Sequence, residues 1–265
     1  MDNPIRYDSE HAIEIAEGVF HLGVQDEANV WANIPYLIVS GDEAAIIDPG
    51  SAKPEFFQIV LRKIKNVLDP RRIKHIIVQH QDPDLCAAMR LLDPVISPDY
   101  ELRCPLEAKL LIQHYGLSRE AVAVDDDDTL VFGAGRTLAF AMTPYCHFIG
   151  SMVTYDTQSR LLFSSDAFGG FSDSNELYAG ALYPQQMSAF LGEYLGSKRA
   201  LVYALKRLEQ LDASSGIEMI CPQHGCLIPK SDIPAYIRAA YDLEVGGQVD
   251  ALAKKHGIEL GEVEK

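Results

Sequence analysis

The chain has 265 residues, 48% of them hydrophobic, with a formal net charge of −15 and a pI near 4.9. So acidic a balance argues against general nucleic-acid binding, which relies on lysine and arginine to displace counterions, and no run approaches the roughly eighteen apolar residues that span a bilayer. The five cysteines form no C-x-x-C pair and residues 1–6 lack the apolar core of a secretory leader, so a reducing cytoplasm is the expected setting.

Residues 18–24, 34–39 and 44–47 read as strands, the last two joined by a Gly41-Asp42 turn. Residues 54–68 carry apolar side chains at helical spacing between a leading proline and Asp69-Pro70. Residues 73–78 form an apolar strand, 86–92 a short helix, 95–96 a short strand, and 106–115 an amphipathic helix stopped by Gly116. The run Asp125-Asp126-Asp127-Asp128 reads as a solvated loop. Two strand pairs follow, 130–132 with 138–142 and 152–155 with 160–164. Residues 166–180 are a Gly- and Ser-rich loop, and 184–211 are helical with a break near Gly192 or Gly196. Residues 217–221 read as a strand. A helical tail occupies about 232–265, its apolar stripe suited to packing on the body or on a second subunit. One domain, 1–265, with two packed sheets and helices outside accommodates this order.

The run Gln79-His80-Gln81-Asp82-Pro83-Asp84-Leu85 places a histidine and two carboxylates at alternate positions just past the end of a strand, where they can converge on one point. His147, Asp166 and His224 each follow an apolar strand in the same way. Taken singly, each has a plain structural explanation. Asp82-Pro83-Asp84 suits a turn, Asp166 a helix N-cap, His224-Gly225 an ordinary turn, and a lone histidine is more often hydrogen-bonded structure than a ligand. Four such positions capping four strands point instead to one cluster at one sheet edge, a two-metal site. Cys86 and Cys146 read as buried small hydrophobes, because neighbours on a strand face opposite ways. His21 and Tyr36 read as lining the pocket rim, and Tyr178, after the Gly/Ser loop, likewise.

His80-x-Asp82-x-Asp84, His147, Asp166 and His224, in that order, resemble the ligand set of the metallo-β-lactamase superfamily, whose hydrolases carry H-x-H-x-D-H. Asp82 stands where the second histidine would be, and Leu85 where the last would be. An acid at the first of these positions resembles the flavodiiron proteins and the oxygen-binding diiron proteins related to them, which carry H-x-E-x-D-H. Asn33-Ile34-Pro35-Tyr36-Leu37-Ile38, Asp48-Pro49-Gly50, Ser164-Ser165-Asp166-Ala167-Phe168-Gly169 and Cys221-Pro222-Gln223-His224-Gly225 are similar to further motifs of that branch, and the resemblance covers roughly residues 17–230.

This resemblance implies an α/β fold, an αββα sandwich of two mixed β-sheets with outer helices. It implies two bridged iron ions, one held by His80, Asp82, His147 and the bridging Asp166, the other by Asp84, Asp166 and His224, and it names no catalytic residue beyond these ligands. Asp48 would hold loops or orient a ligand histidine. The carboxylate-rich donor set is hard, which suits iron or manganese better than zinc. The implied function is O2 binding as a sensor or carrier, or reduction of O2 or NO as an oxidoreductase. No bound flavin is expected in this chain, since the roughly forty residues after His224 show no phosphate-cradling loop. Electrons would come from a separate flavin- or iron-containing donor, and a homodimer is implied. The alternatives are a metal-dependent hydrolase, with zinc activating water, and a degenerate metal-binding module, for which Leu85 is the main argument.

Overall fold

The computed structural model describes residues 5–26, 31–172 and 174–261. Positions 1–4 of the N-terminal reading, position 173 of the expected loop and positions 262–265 of the expected tail lie outside the described residues. The first half of the chain carries β1 (Ile13–Ala16), β2 (Val19–His21), β3 (Val24–Asp26), β4 (Trp31–Asn33), β5 (Tyr36–Ser40), β6 (Glu43–Ile47), helix α1 (Pro54–Val67) and β7 (Ile73–Ile77). The one-turn helices α2 (Pro83–Cys86) and α3 (Met89–Leu92), β8 (Glu101–Pro105), α4 (Leu106–Ile112) and β9 (Val122–Val124) complete it. The second half carries β10 (Thr129–Phe132), β11 (Arg136–Met142), β12 (Met152–Asp156), β13 (Leu161–Phe163), α5 (Tyr183–Tyr194), α6 (Lys198–Ser215), β14 (Met219–Cys221), β15 (Ile228–Pro229), α7 (Ile233–Tyr241) and α8 (Gly247–His256).

Two sheets result, in the orders β1-β2-β5-β6-β7-β8-β9 and β10-β11-β12-β13-β14-β15, with β3-β4 a separate hairpin. The first is antiparallel up to β6 and parallel from β6 to β9. The second is antiparallel except where β13 pairs with β14. Both sheets are therefore mixed, and helices cover both outer faces. The fold is an α/β αββα sandwich, the architecture that the sequence resemblance implies.

Strand alternation makes the layers, since successive side chains point to opposite faces. In β6, Ala44 and Ile46 face α1, joining Phe56, Val60 and Ile64, which recur every four residues on the buried side of that helix. Ala45 and Ile47 face the other sheet and pack with Ile77, Phe140 and Phe163. On the far side, Val153, Tyr155, Leu162 and Ile220 meet α5, α6 and α7. Each fully buried aliphatic or aromatic side chain contributes roughly 1.5–3 kcal/mol, so three continuous cores hold the strand ends in register.

Several expectations need correction. Residues 95–96 lie in a turn, with Val95 N bonded to Leu92 O, because the chain leaving α3 doubles back at once. Residues 18–24 are not one strand. Gly23 lies beneath the His21 ring, where an added Cβ would stand 2.3 Å from Cε1, and the chain breaks there between β2 and β3. The expected 86–92 helix is only α3, since Cys86 ends the earlier single turn α2 and residues 87–88 lie between them, and the long helix breaks at Gly196, with Gly192 inside α5. Strands β1, β4, β8, β9 and β15 lie outside every expected strand. In the tail, α7 packs on the body through Ile233, Tyr236, Ile237 and Ala240.

One buried ion pair ties the two sheets together. Arg136 of β11 forks onto Asp156 of β12, and its Nη1 donates to the carbonyls of Glu17 (3.0 Å) and Val39 (3.3 Å) in the first sheet region. Asp156→Ala is expected to lower the unfolding free energy by about 3–5 kcal/mol, because it leaves a guanidinium buried without its counter-charge. Urea denaturation measures this, and a loss below about 1 kcal/mol would mean that the carbonyls alone satisfy Arg136.

Candidate metal centre

The cluster draws on both sheets: His80 follows β7 of the first, with Asp82 and Asp84 at the start of α2, while His147, Asp166 and His224 follow β11, β13 and β14 of the second. Val78 N bonds Arg103 O, extending β7 beyond its last residue, and Gln79 is then held from two sides. Its N–H donates to Asp48 Oδ1 (2.8 Å) and its carbonyl accepts from Met152 N (3.0 Å), fixing the start of the His80 turn to both sheets. Asp82 opens α2 but makes no side-chain capping bond, so its carboxylate is available to the histidines, and Asp84 lies in the first turn. Asp166 follows β13 in a tight turn closed by Ala167 N to Ser164 O and Gly169 N to Asp166 O. His224 follows β14, whose parallel partner is β13, so the two loops leave side by side and are joined by Gln223 N to Ser165 O (2.8 Å).

The side chains converge. The liganding atoms of His80, Asp82, His147 and Asp166 all lie within 4.8 Å of one another. Asp166 Oδ2 is 2.9 Å from His147 Nε2 and 3.4 Å from His80 Nε2, while Asp82 Oδ2 is 3.3 and 3.6 Å from the same two nitrogens. Asp166 Oδ1 points the other way, 3.5 Å from His224 Nε2, which lies 3.3 Å from Asp84 Oδ2. One carboxylate thus separates two groups of donors.

The outer ends of two imidazoles are anchored. His224 Nδ1 donates to the Ala32 carbonyl (2.6 Å), leaving Nε2 as the lone-pair nitrogen of the neutral ring. His80 Nδ1 meets Ser165 Oγ at 2.7 Å. Ser165 itself has a positive φ of 55°, an uncommon conformation for a side-chain-bearing residue.

Charge is concentrated here. Burial opposes a charged His80, yet Asp166, backed by Asp82, outweighs it and raises the imidazole to about 10. Burial likewise opposes charge on His147, which Asp166 and Asp82 raise to about 9. Asp166 is held well below the usual carboxylate range, its burial being overcome by the three imidazoles. Asp48 sits at the fully buried end of the same region, and burial raises it to about 7 despite its bonds from Gln79.

The donors fit a metal pair. His80 Nε2 and Asp166 Oδ1 are buried with no hydrogen-bond partner, as metal-facing atoms would be. Imidazole nitrogens and carboxylate oxygens in this mixture suit iron.

A family model described as an ODP family beta lactamase matches residues 32–225. The chain belongs to this family. A flavo-diiron protein of Clostridium acetobutylicum is 25% identical over 246 residues, 87% of this chain and 60% of that protein. The solved rubredoxin oxygen:oxidoreductase of Desulfovibrio gigas superposes with a TM-score of 0.80 at 20% identity, covering 87% of this chain and 61% of that one. The solved chemotaxis sensor ODP, in a peroxy diiron state, superposes with a TM-score of 0.75 at 19% identity, covering 91% of this chain and 98% of that one. The chain spans 33 to 60% of the length of the first curated relatives it matches. No helix among the described residues is long and apolar enough to cross a membrane.

In this ODP family member the aromatic residues read from the sequence as a rim stand elsewhere. His21 and Tyr36 are each 1% exposed. Their rings pack edge to face, 5.8 Å apart, with Tyr36 in the core between the sheets, and Tyr36 Oη donates to Pro222 O (2.7 Å). Strand alternation turns both toward the core. Tyr178 packs on the core between the sheets and bridges to Leu227. The aromatic wall beside the cluster is instead Phe148, 4.5 Å from the His147 ring, Tyr194, 5.7 Å from it, and Phe190, 5.5 Å from the His224 ring. Phe148 directly follows His147, and Phe190 and Tyr194 stand four apart on α5, which were the available signals. Leu85 is fully buried in the helix-side core, away from the donors. Asp48 clasps the Gln79 loop. Both Cys86 and Cys146 are buried.

Metal uptake must displace the protons that His80 and His147 hold at neutral pH. With those groups at about 10 and 9, affinity for Zn(II) is expected to fall as pH falls from about 9 to about 6, by about tenfold per pH unit for each displaced proton. Titration of metal-free protein in an indicator dye checks this, and proton-independent uptake would sink the role given to these two imidazoles.

Proposed function

We propose that the cluster holds two iron ions and that the loaded centre binds O2. The reading rests on one observation, the division of the Asp166 carboxylate between two donor groups. His80, Asp82, His147 and Asp166 Oδ2 would hold one ion, and Asp84, His224 and Asp166 Oδ1 the other. Support comes from the family match and from relatives whose names describe diiron and oxygen-reacting proteins. They favour this reading over a zinc hydrolase, and so does the carboxylate at position 82.

Ferrous iron, when bound, supplies the electrons that O2 takes up. The chain's own residues do the rest. Asp166 sets the spacing of the two sites, Ser165 and the Ala32 carbonyl fix which imidazole nitrogen faces inward, and His80 and His147 lose their protons as metal enters. Phe148, Phe190 and Tyr194 form an apolar wall beside the donors that suits a small neutral diatomic molecule better than a charged ester. A sensor or carrier role needs only reversible binding. Reduction of O2 or NO would need electrons from another protein carrying a flavin or iron group, as the rubredoxin in the name of the Desulfovibrio gigas relative suggests for that protein.

Protein purified without oxygen is expected to contain close to two irons per chain and to gain a new absorption band on exposure to air. Zinc, or a spectrum indifferent to air, would move the chain to the hydrolase reading. Asp166→Ala is expected to lose both metals together, and His224→Ala only one. Elemental analysis decides, and full iron in the Asp166→Ala protein would refute the bridging assignment.

A further inference from the structure

Tyr183, the first residue of α5, takes no part in the donor cluster, yet its hydroxyl reaches the backbone of two of its loops. The residue is 1% exposed. Its Oη lies 2.9 Å from the carbonyl of Phe168, two residues past Asp166, and 3.2 Å from the carbonyl of His224 itself. One phenolic hydrogen therefore sits between the loop of Asp166 and the loop of His224. Both loops are shaped around this ring. A Cβ on Gly225 would stand 2.3 Å from Tyr183 Oη, and a Cβ on Gly170 would stand 2.8 Å from its Cε2. Gly225 has a φ of +89° besides, so the chain passes the phenol in a conformation that side chains disfavour. Phe168, the other acceptor, has a φ of 65°.

We propose that Tyr183 is a positioning residue for the second metal: its hydroxyl staples the His224 loop to the Asp166 loop and so sets the separation of His224 Nε2 from Asp166 Oδ1. The inference rests on the two-metal reading and adds a residue that acts through others. His224 is then held at both ends, its Nδ1 by the Ala32 carbonyl and its backbone carbonyl by Tyr183 and by Gly170 N (3.3 Å). Main-chain bonds join the loops on one side, Gln223 N to Ser165 O, and the phenol closes the other. The first group of donors is built differently. His80 is anchored by Ser165 Oγ, and His147 rides on the loop after β11, whose bonds run among Thr143, Tyr145, Phe148 and Ser151. The hydroxyl of Tyr183 bonds none of these, and its acceptor Phe168 follows Asp166 whereas Ser165 precedes it, so its removal should fall on the second metal more than on the first. Burial keeps the phenol protonated, and hence a donor, throughout the working range.

The test is a Co(II) titration of metal-free protein, followed by visible absorption and by bound-metal analysis, on the full chain and on Tyr183→Phe. The wild type is expected to take up two ions. Tyr183→Phe should bind the first with a smaller loss and the second about 10- to 100-fold more weakly, the usual cost of removing a group that supports a ligand. Replacing Tyr183 with 4-aminophenylalanine, which restores a donor on the same ring, should recover the second ion. That rescue separates positioning from a general loss of folding if the phenylalanine variant proves unstable. Equal weakening of both ions would make Tyr183 a scaffold residue and overturn the proposal, as would two unchanged affinities or a failure of the amino variant to rescue. A wild-type chain that takes up only one ion would remove the two-metal reading itself, and this inference with it.

Discussion

A carboxylate buried with both oxygens turned away from water is costly unless opposite charge surrounds it, and much of this molecule is arranged around that problem at Asp166. The side chain is 6% exposed and faces imidazoles from three separate loops. Without metal, protonated histidines supply the compensation, which is why Asp166 falls below its usual range while His80 and His147 rise. Divalent ions in their place would satisfy the same electrostatic demand more strongly. The polar cluster is therefore compensated in either condition by the same atoms, with protons exchanged for metal.

Holding such a cluster needs walls that do not yield. The three cores supply them, one between the sheets and one beneath each helical layer. Gln79 shows how the walls reach the chemistry. Its N–H is taken by Asp48 at the end of β6 and its carbonyl by Met152 at the start of β12, so the residue beside His80 is bonded to both sheets. The Arg136–Asp156 pair does comparable work away from the cluster, where its guanidinium also serves carbonyls of the opposite sheet.

Much of this was legible in the sequence, for a physical reason. A donor that must converge with others at a sheet edge has to follow a strand directly, so His80, His147, Asp166 and His224 each announce themselves by the apolar run before them. The layered architecture followed from the alternation of strands and amphipathic helices together with the family resemblance. What stayed hidden depends on geometry that has no period. Ser165 is one residue from Asp166, but only the fold brings its hydroxyl to His80, 85 positions away in the chain. His21 and Tyr36 belong to strands whose faces cannot be assigned until the sheets are docked, so their burial was not readable. β8 was missed because Glu101 and Arg103 alternate with Leu102 and Cys104, a half-exposed pattern too short to stand out beside the helices around it.

The reach of the His224 anchor bears on the order in which the molecule is assembled. His224 bonds the carbonyl of Ala32 across 192 positions, and the cluster also gathers groups from the 80s, the 140s and the 160s. Contacts so distant in sequence close late, because loop entropy must be overcome before they contribute anything. A nascent chain could display His80, Asp82 and Asp84 long before Asp166 and His224 leave the ribosome, and those early residues alone make a poor trap for any ion. The full constellation exists only after β13 and β14 have paired and both sheets have closed, so capture of metal would report a finished fold rather than guide its formation.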